Sequence, residues 1–398
     1  MNSIKTLVLA TACAAALVGS ASAQTVIDIT GSTAFRSSVH AAILNSLTTP
    51  TATYKSGSGI TLDNATFAVF KGTLTSNGHS VIIRTSWSGS AQGVKDLAVP
   101  NSIAFLATTE TTSAASVSGG KATTSTSTTN AASDSSTPEL AFSDVFQAST
   151  DSAALTQLTD AIVAVVPFKF VAGPGAAAKG VTNMTPQLFA SIWNAGGQPI
   201  SLFGSTDINA ASIYVIPTGR NNESGTRITT FAETGFGINT SAMTQYQVTQ
   251  TGADANGYGG TGTIASYTPY TNGASSGGTV AKYVTANVTA QGGYMITYLG
   301  LADAANAIGT GSTVPVSPAN YATEMTYNGV AYSAAGVYNG SYTFWGYEHL
   351  FSKGATGDVA KLQSDLAVAI NAAPGASGLN VNNMNVSRSI DGGTVAPK

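Results

Sequence analysis

The chain repeats one local pattern, in which a short β-branched apolar run is followed by a stretch whose apolar residues recur at helical spacing. Five such pairs begin at "TVIDIT", "SVIIRTS", "AIVAVVPFKFV", "ASIYVIPT" and "GGYMITYLG". A last helix is predicted in "GDVAKLQSDLAVAINA", where Val359, Leu362, Leu366 and Ile370 form one stripe. Strands that alternate with helices predict an α/β fold with mostly parallel sheets.

Three of the predicted strands end in a turn of glycine and hydroxyl residues that opens a helix. These turns are Gly31-Ser32-Thr33, Gly89-Ser90 and Ser224-Gly225-Thr226. A helix N-terminus has free N–H groups and a partial positive charge, and ligands of open α/β sheets bind at the carboxyl ends of the strands. With the planar charged fork of Arg220 nearby, the turns predict a site for one small anion. For any one turn alone, a Ser or Thr that caps its own helix is the simpler interpretation.

Residues 1 to 23 are predicted to be a signal peptide. Lys5 supplies the charged start, "TLVLATACAAALVG" the apolar run, and "ASA" before Gln24 the cleavage site. We therefore expect an exported protein in the periplasm, at the cell surface or secreted. Cys13 is the only cysteine and lies inside this segment, so no disulfide is expected in the mature chain. A lipoprotein attached through Cys13 is the alternative, which the longer apolar run disfavours.

The composition excludes several classes of partner. A net charge of −3 with 9% charged residues gives no basic surface, so nucleic acid is not an expected partner. No apolar run after the signal peptide approaches the roughly 18 residues that span a bilayer. His40, His79 and His349 are too dispersed for a metal site, and no metal or cofactor is expected.

Two regions of low complexity interrupt the pattern. The segment 107–138 is rich in Ser, Thr, Ala and Gly, and the segment 249–278 is rich in Gly, Thr and Tyr. Both are predicted to be insertions that lie outside the core.

The motifs together resemble those of the phosphate-binding proteins of ABC-type phosphate importers, which are class II periplasmic binding proteins. The matching segments are "TGSTAF", "GSAQGVK", "AFSD" at 141–144 and "GRNNESGT", with weaker matches at "VAVVPF", "TPQLFASIWNAG" and "GGYMITY". The resemblance implies two α/β lobes joined by two crossover strands, with the ligand cleft between the lobes. The first lobe would comprise 24–166 and 298–398, and the second 167–297.

The resemblance also implies a set of residues that bind phosphate or a similar oxyanion. They are Ser32, Thr33, Ser90, Asp144, Arg220, Ser224, Gly225 and Thr226. Asp144 is informative because an ionised carboxylate only accepts hydrogen bonds, so it favours an anion that carries a proton. Phosphate carries one near neutral pH, whereas sulfate does not. Without its neighbouring match, Asp144 would be interpreted as a helix cap or a solvated loop residue.

The sequence departs from the family pattern near the arginine and the first turn. Where the family has an acidic residue two positions after the arginine, this chain has Asn222, with Glu223 next. Arg36 stands where the family often has proline, and it faces either the site or solvent. The aromatic segment 338–350, which contains Trp345, is predicted to pack within the C-terminal part.

The function implied is capture of phosphate or a related oxyanion by a monomer that performs no chemistry and serves an ABC permease. An enzyme is not expected, because no G-x-S-x-G turn is present and no histidine has a recognisable triad setting. The alternative is a structural or adhesive surface protein that keeps this fold without binding phosphate, which the hydroxyl-rich insertions and the low charge would also suit.

Overall fold

The computed structural model describes residues 24–57, 59–110, 116–118, 121–238, 243–249, 252–259, 267–270, 272–286, 288 and 292–398. The predicted signal peptide, with Cys13, lies outside the described residues, as do parts of both low-complexity regions. Within the described ranges, no helix has the length and apolar character needed to cross a membrane.

The helices of the described residues are α1 (Arg36–Ser46), α2 (Ser90–Ala98), α3 (Pro186–Ala195), α4 (Gly225–Glu233), α5 (Gly277–Val284), α6 (Leu301–Ala307), α7 (Ala334–Asn339) and α8 (Gly357–Ala372). The strands are β1 (Thr25–Gly31), β2 (Leu47–Lys55), β3 (Phe67–Leu74), β4 (Ser80–Ser86), β5 (Ile103–Phe105), β6 (Ser116–Ser118), β7 (Lys121–Thr128), β8 (Asp134–Ser136), β9 (Leu140–Ser143), β10 (Thr159–Ala172), β11 (Asn183–Met184), β12 (Gln198–Pro199), β13 (Tyr214–Pro217), β14 (Tyr246–Val248), β15 (Tyr267–Pro269), β16 (Gly293–Gly300), β17 (Thr323–Glu324), β18 (Thr326–Tyr327), β19 (Trp345–Ser352), β20 (Val386–Ser387) and β21 (Ala396–Pro397). All five predicted strand–helix pairs and the predicted last helix are present.

A central sheet of 13 strands runs through the molecule in the order β12-β13-β16-β10-β19-β9-β1-β4-β3-β2-β7-β6, with β17 beside β10. The antiparallel strands β10 and β19 divide it. Beyond β19 lies the first half, from β9 to β6, and beyond β10 lies the second half, β16, β13 and β12.

Each half of the sheet carries its own helices. Helices α1, α2 and α8 pack beside the first half, and α3, α4, α5 and α6 pack beside the second. The protein is therefore an α/β structure of two lobes joined by crossover strands, which is the predicted fold class.

The expectation of mostly parallel sheets is wrong, because the central sheet is mixed. β1 is parallel to β4 and β9, and β13 is parallel to β16. The hairpin β2–β3 and the crossover pair β10–β19 are antiparallel. The hairpin escaped prediction because "LTTPTATYK" is built mainly from threonine, which favours strands without giving an apolar alternation.

The positions of α6 and β17 bear on where the second lobe ends. α6 packs against β16 and β10, and β17 pairs with the end of β10 at Val171 and Ala172. Both elements thus lie on the side of the second half of the sheet. We therefore propose that the chain returns to the first lobe at β19, later than the residue 298 expected from sequence.

A continuous hydrophobic core extends through both lobes along the crossover strands. It includes Val165 and Phe168 of β10 and Trp345 of β19, all without exposed surface. Full burial of one such apolar side chain stabilises the fold by about 1.5–3 kcal/mol. The aromatic segment 338–350 thus packs within the protein, as predicted for it.

Candidate functional site

The carboxyl ends of three strands bring polar residues of the first lobe to one edge of the sheet. Because β1 is parallel to both β4 and β9, the segments that follow these strands leave the sheet on the same side. Ser32 follows β1, Ser90 begins α2 after β4, and Asp144 follows β9. Each of the three residues is buried, with at most 2% of its surface exposed. A cluster of polar groups therefore lies inside the protein at this edge.

The second lobe presents Arg220 and the start of α4 to the same edge. Arg220 follows β13, and its Nη2 donates a hydrogen bond to Thr33 Oγ1 of the first lobe at 3.0 Å. The backbone N–H of Ala91, in α2, donates to the carbonyl oxygen of Glu223 at 3.0 Å. The two lobes are thus in direct contact across the cleft.

Asp144 is the carboxylate at which the two lobes meet. Its Oδ1 accepts a hydrogen bond from the Ser90 hydroxyl of its own lobe, and its Oδ2 accepts one from the Thr226 hydroxyl of the other lobe at 3.3 Å. Gly225 lies so close that a Cβ at its position would overlap Oδ1. Burial raises the pKa of Asp144, and the hydrogen bond from Ser90 and the charge of Arg220 oppose that rise.

Arg220 is a buried cation held by uncharged acceptors. Besides Thr33, its Nε donates to the carbonyl of Ala274 at 3.2 Å, and Nη2 donates to the carbonyl of Ser275 at 3.1 Å. Among the described residues, no carboxylate lies within ion-pair distance of Arg220, and its Nη1 has no hydrogen-bond acceptor. Burial lowers the pKa of Arg220. A buried charge is unfavourable unless another charge compensates it.

Further donors near the cleft have no acceptor in the described part of the chain. The hydroxyl of Ser32 is buried and has no hydrogen-bond partner within the described ranges. In α4, the hydroxyl of Ser224 accepts from the N–H of Arg227 at 3.3 Å, and the N–H groups of Gly225 and Thr226 have no acceptor within the helix. These groups can donate to an anion.

The hydroxyl groups of Ser90 and Ser224 have different roles although both residues begin a helix. Ser224 is the N-cap of α4, so the capping interpretation holds for it. Ser90 lies one position further inside α2, whose N-cap is Gly89, and its hydroxyl binds Asp144. The hydroxyl of Ser90 is therefore used at Asp144, whereas that of Ser224 caps its own helix.

The first turn does not open its helix, so that part of the prediction is wrong. Ser32 and Thr33 are followed by a turn, and α1 begins only at Arg36 with Phe35 as its N-cap. Their hydroxyl groups are consequently not used to cap α1.

Sequence reasoning missed the groups that hold Arg220. Asn222 replaces the acidic residue of the family pattern, and the carbonyls of Ala274 and Ser275 take up the guanidinium instead. Both residues belong to the segment 249–278 that was predicted to lie outside the core, yet Ala274 is only 3% exposed. Tyr298 Oη accepts from the backbone N–H of Arg220 at 3.2 Å. Every residue has a backbone carbonyl, so the sequence does not show which carbonyls bind Arg220.

Glu348 is a second buried carboxyl near Asp144, and the sequence analysis did not single it out. It lies on β19, and neither of its carboxyl oxygens has a hydrogen-bond partner among the described residues. Burial raises its pKa well above the usual range, and the charge of Asp144 adds to that rise. Both effects favour the neutral form of Glu348.

Arg36, which was expected from sequence to face either the site or solvent, is buried. It is 9% exposed and makes no hydrogen bond or ion pair with the described residues. Burial lowers its pKa, and the more distant carboxylate of Asp303 raises it. No group of three or more His, Cys, Asp or Glu side chains in the described ranges could hold a metal ion.

Comparisons with known proteins give matches among solved structures. No protein-family model and no curated protein matches the chain. A protein from Clostridium perfringens described as a phosphate ABC transporter substrate-binding protein with bound phosphate is 13% identical, with a TM-score of 0.49 over 90% of this chain and 100% of that one. PstS from Borrelia burgdorferi is 14% identical, with a TM-score of 0.42 over 89% and 99% of the two chains. An ABC-type phosphate transport receptor from Vibrio cholerae is 11% identical, with a TM-score of 0.42 over 86% and 93%. In fold, this chain is similar to these proteins at low sequence identity.

Proposed function

We propose that this protein is an extracytoplasmic solute-binding protein that captures phosphate, or a similar protonated oxyanion, in the cleft between its lobes. The observation that carries the proposal is Arg220, which is 1% exposed and has no carboxylate partner among the described residues. An anionic ligand supplies the missing counter-charge. This is the simplest reason for a protein to keep such a cation in its interior.

Donors on both lobes suit a tetrahedral anion. Arg220 Nη1 and the N–H groups of Gly225 and Thr226 belong to the second lobe, and the hydroxyl of Ser32 belongs to the first. The start of α4 also favours a negative charge through the helix dipole. The remaining predicted ligand residues, Thr33, Ser90, Asp144 and Ser224, complete the proposed set.

Asp144 favours phosphate over anions that carry no proton. An ionised carboxylate has no hydrogen to donate, so it binds an anion well only when a proton lies between the two. Phosphate brings that proton near neutral pH. The preference holds while Asp144 is ionised, and its raised pKa means that the preference weakens as the pH falls.

We propose that binding closes the cleft and that no reaction follows. A ligand that contacts both lobes stabilises the closed state over the open one, which is how ligands drive hinge closure. The described histidines make their hydrogen bonds away from Ser90 and Ser224, so neither serine has a base of the usual kind. Delivery to an ABC permease is part of the proposal and rests on the sequence resemblance.

The test is binding of inorganic phosphate by the protein from Gln24 onward. The protein is unfolded, dialysed to remove bound anion and refolded, and its thermal melt is recorded with millimolar sodium phosphate. Sodium chloride of equal ionic strength is the control. At 100 times its dissociation constant, a ligand stabilises the folded state by about 2.7 kcal/mol, so we expect a clear rise in Tm. Absence of both a shift and heat on titration would contradict the proposal and favour the structural surface protein.

A further inference from the structure

A cavity adjoins the proposed phosphate site at Thr33. It has a volume of about 360 Å³ and lies between the start of α1 on the first lobe and α6 on the second. Thr33 lines it and also accepts the hydrogen bond from Arg220. An anion bound at Arg220 and Thr33 therefore has this cavity directly beside it.

The cavity is larger than inorganic phosphate requires. One water occupies roughly 30 Å³ in the liquid, and a free phosphate ion is only a few times that size. Sites for small organic molecules begin at about 300 Å³. The volume thus fits a phosphate that carries a small organic group.

The lining is suited to hydroxyl groups. Arg36, which makes no hydrogen bond or ion pair with the described residues, lines one wall of the cavity, and Asp303 and Asn306 lie on the α6 wall. Asn306 Oδ1 accepts from the N–H of Thr313 at 3.1 Å, which leaves its amide N–H groups free to donate. Among the described residues, no aromatic ring and no large aliphatic side chain lines the cavity. The lining therefore combines small apolar side chains with donors and acceptors that a hydroxyl group can bind.

We propose that this cavity is a subsite for the organic part of a phosphomonoester of a small polyol, whose phosphate lies at Arg220 and Thr33. The inference rests on the proposed function and narrows its ligand class. Arg36 donates to the oxygens of the polyol, and Asp303 accepts from its hydroxyl groups. Asn306 binds the end of the polyol farthest from the phosphate.

The pH of the test is chosen so that every ligand carries a proton that can lie between it and Asp144. A phosphomonoester loses its second proton near pH 6, whereas inorganic phosphate keeps one well above that pH. Titrations at pH 5.5 therefore compare monoanions that both carry a proton. Calorimetry at this pH uses inorganic phosphate, methyl phosphate and glycerol 3-phosphate as probes, with protein from which bound anion has been removed.

We expect glycerol 3-phosphate to bind at least tenfold more tightly than methyl phosphate. Asn306→Ala should remove that advantage, of which each factor of ten corresponds to about 1.4 kcal/mol. It should leave the affinity for inorganic phosphate within about twofold. Asn194→Ala, at an exposed position on α3, is the matched control. Ala376→Phe, which fills the cavity from an exposed position, is a second variant that does not disturb the core and should have the same effect.

The outcomes separate this inference from the proposed function. If inorganic phosphate binds and glycerol 3-phosphate binds no better than methyl phosphate, the subsite is wrong and the proposed function stands. If glycerol 3-phosphate binds tightly but neither Asn306→Ala nor Ala376→Phe weakens it, its organic part lies elsewhere and the inference is also wrong. If none of the three probes binds, both proposals fail.

Discussion

Arg220 and Arg388 are both buried arginines, but of these two only Arg388 forms an ion pair with a described carboxylate. Arg388 Nη1 donates to Glu233 at 3.0 Å, and its guanidinium carbon lies 4.1 Å from the centre of the Trp345 ring. Within the described part of the chain, the side chain of Arg220 has a hydroxyl and backbone carbonyls as its acceptors. Burial of an arginine is therefore not what indicates a ligand. The informative feature is a buried arginine that has no carboxylate of the described residues within ion-pair distance.

The largest effect expected from this difference is that of removing each charge. Arg220→Gln should weaken phosphate binding by a hundredfold or more, because charge-assisted hydrogen bonds in a buried site are worth about 1.5–3 kcal/mol each. Its unliganded melt should change little. Arg388→Gln should lower the unliganded Tm, because breaking a buried ion pair costs about 3–5 kcal/mol, and should leave phosphate affinity unchanged. Melts and titrations of both variants test this. A collapse of unliganded Arg220→Gln would instead identify Arg220 as a structural residue.

The next effect concerns the carboxylate that faces Arg220 across the cleft. At pH 7.5 we expect phosphate to be preferred over sulfate by at least a hundredfold, about 2.7 kcal/mol, because sulfate brings no proton to Asp144. Burial raises the pKa of Asp144, so its protonated form increases as pH falls and sulfate should then bind more tightly. The preference should thus shrink toward pH 5. Asp144→Asn should bind both anions with only a small preference, as competition titrations across this pH range would show. Equal binding of the two anions by the native protein would exclude Asp144 from the site.

A smaller effect is expected at Gly225, where binding should change more than stability. An added Cβ would overlap Asp144 Oδ1 and lie 2.7 Å from Ser90 Cβ, so Gly225→Ala should weaken phosphate binding by about tenfold, or about 1.4 kcal/mol. The unliganded protein should lose little stability, since alanine favours a helix by up to about 1 kcal/mol over glycine. Gly278→Ala in α5, where the nearest atom is 3.6 Å away, is the control for helix propensity. Full affinity in Gly225→Ala would show that the lobes do not approach at this point when ligand is bound.

The smallest effect separates the two serines at helix starts. Ser224→Ala should lower the stability by about 1 kcal/mol through loss of the N-cap. Ser90→Ala should weaken phosphate binding about fivefold, because the hydrogen bond from its hydroxyl to Asp144 at the site is lost. Denaturant unfolding and calorimetry distinguish the two. The reverse assignment of effects would overturn the roles that we give these hydroxyl groups.

Arg220 could be predicted from the sequence, whereas the residues that bind its guanidinium could not. The strand β13, Arg220 and α4 follow one another within a short segment, so local patterns were sufficient to identify them. Ala274 and Ser275 lie in a glycine- and hydroxyl-rich segment, and they reach Arg220 only through the packing of α5 against β16. Similarly, the edge strands β6 and β7 lie in a Ser/Thr tract without apolar alternation. Periodicity shows which face of an element is buried, but it does not show which distant segments meet.

The crossover strand β10 also affects how the protein unfolds. Its 14 residues pair with β19 over the first part and with β16 and β17 over the last part. Neither lobe keeps its full sheet if β10 detaches, so the lobes are expected to lose structure together as one cooperative unit. Phosphate bound in the cleft would then raise the Tm of a single unfolding transition of the whole molecule rather than stabilise one lobe alone.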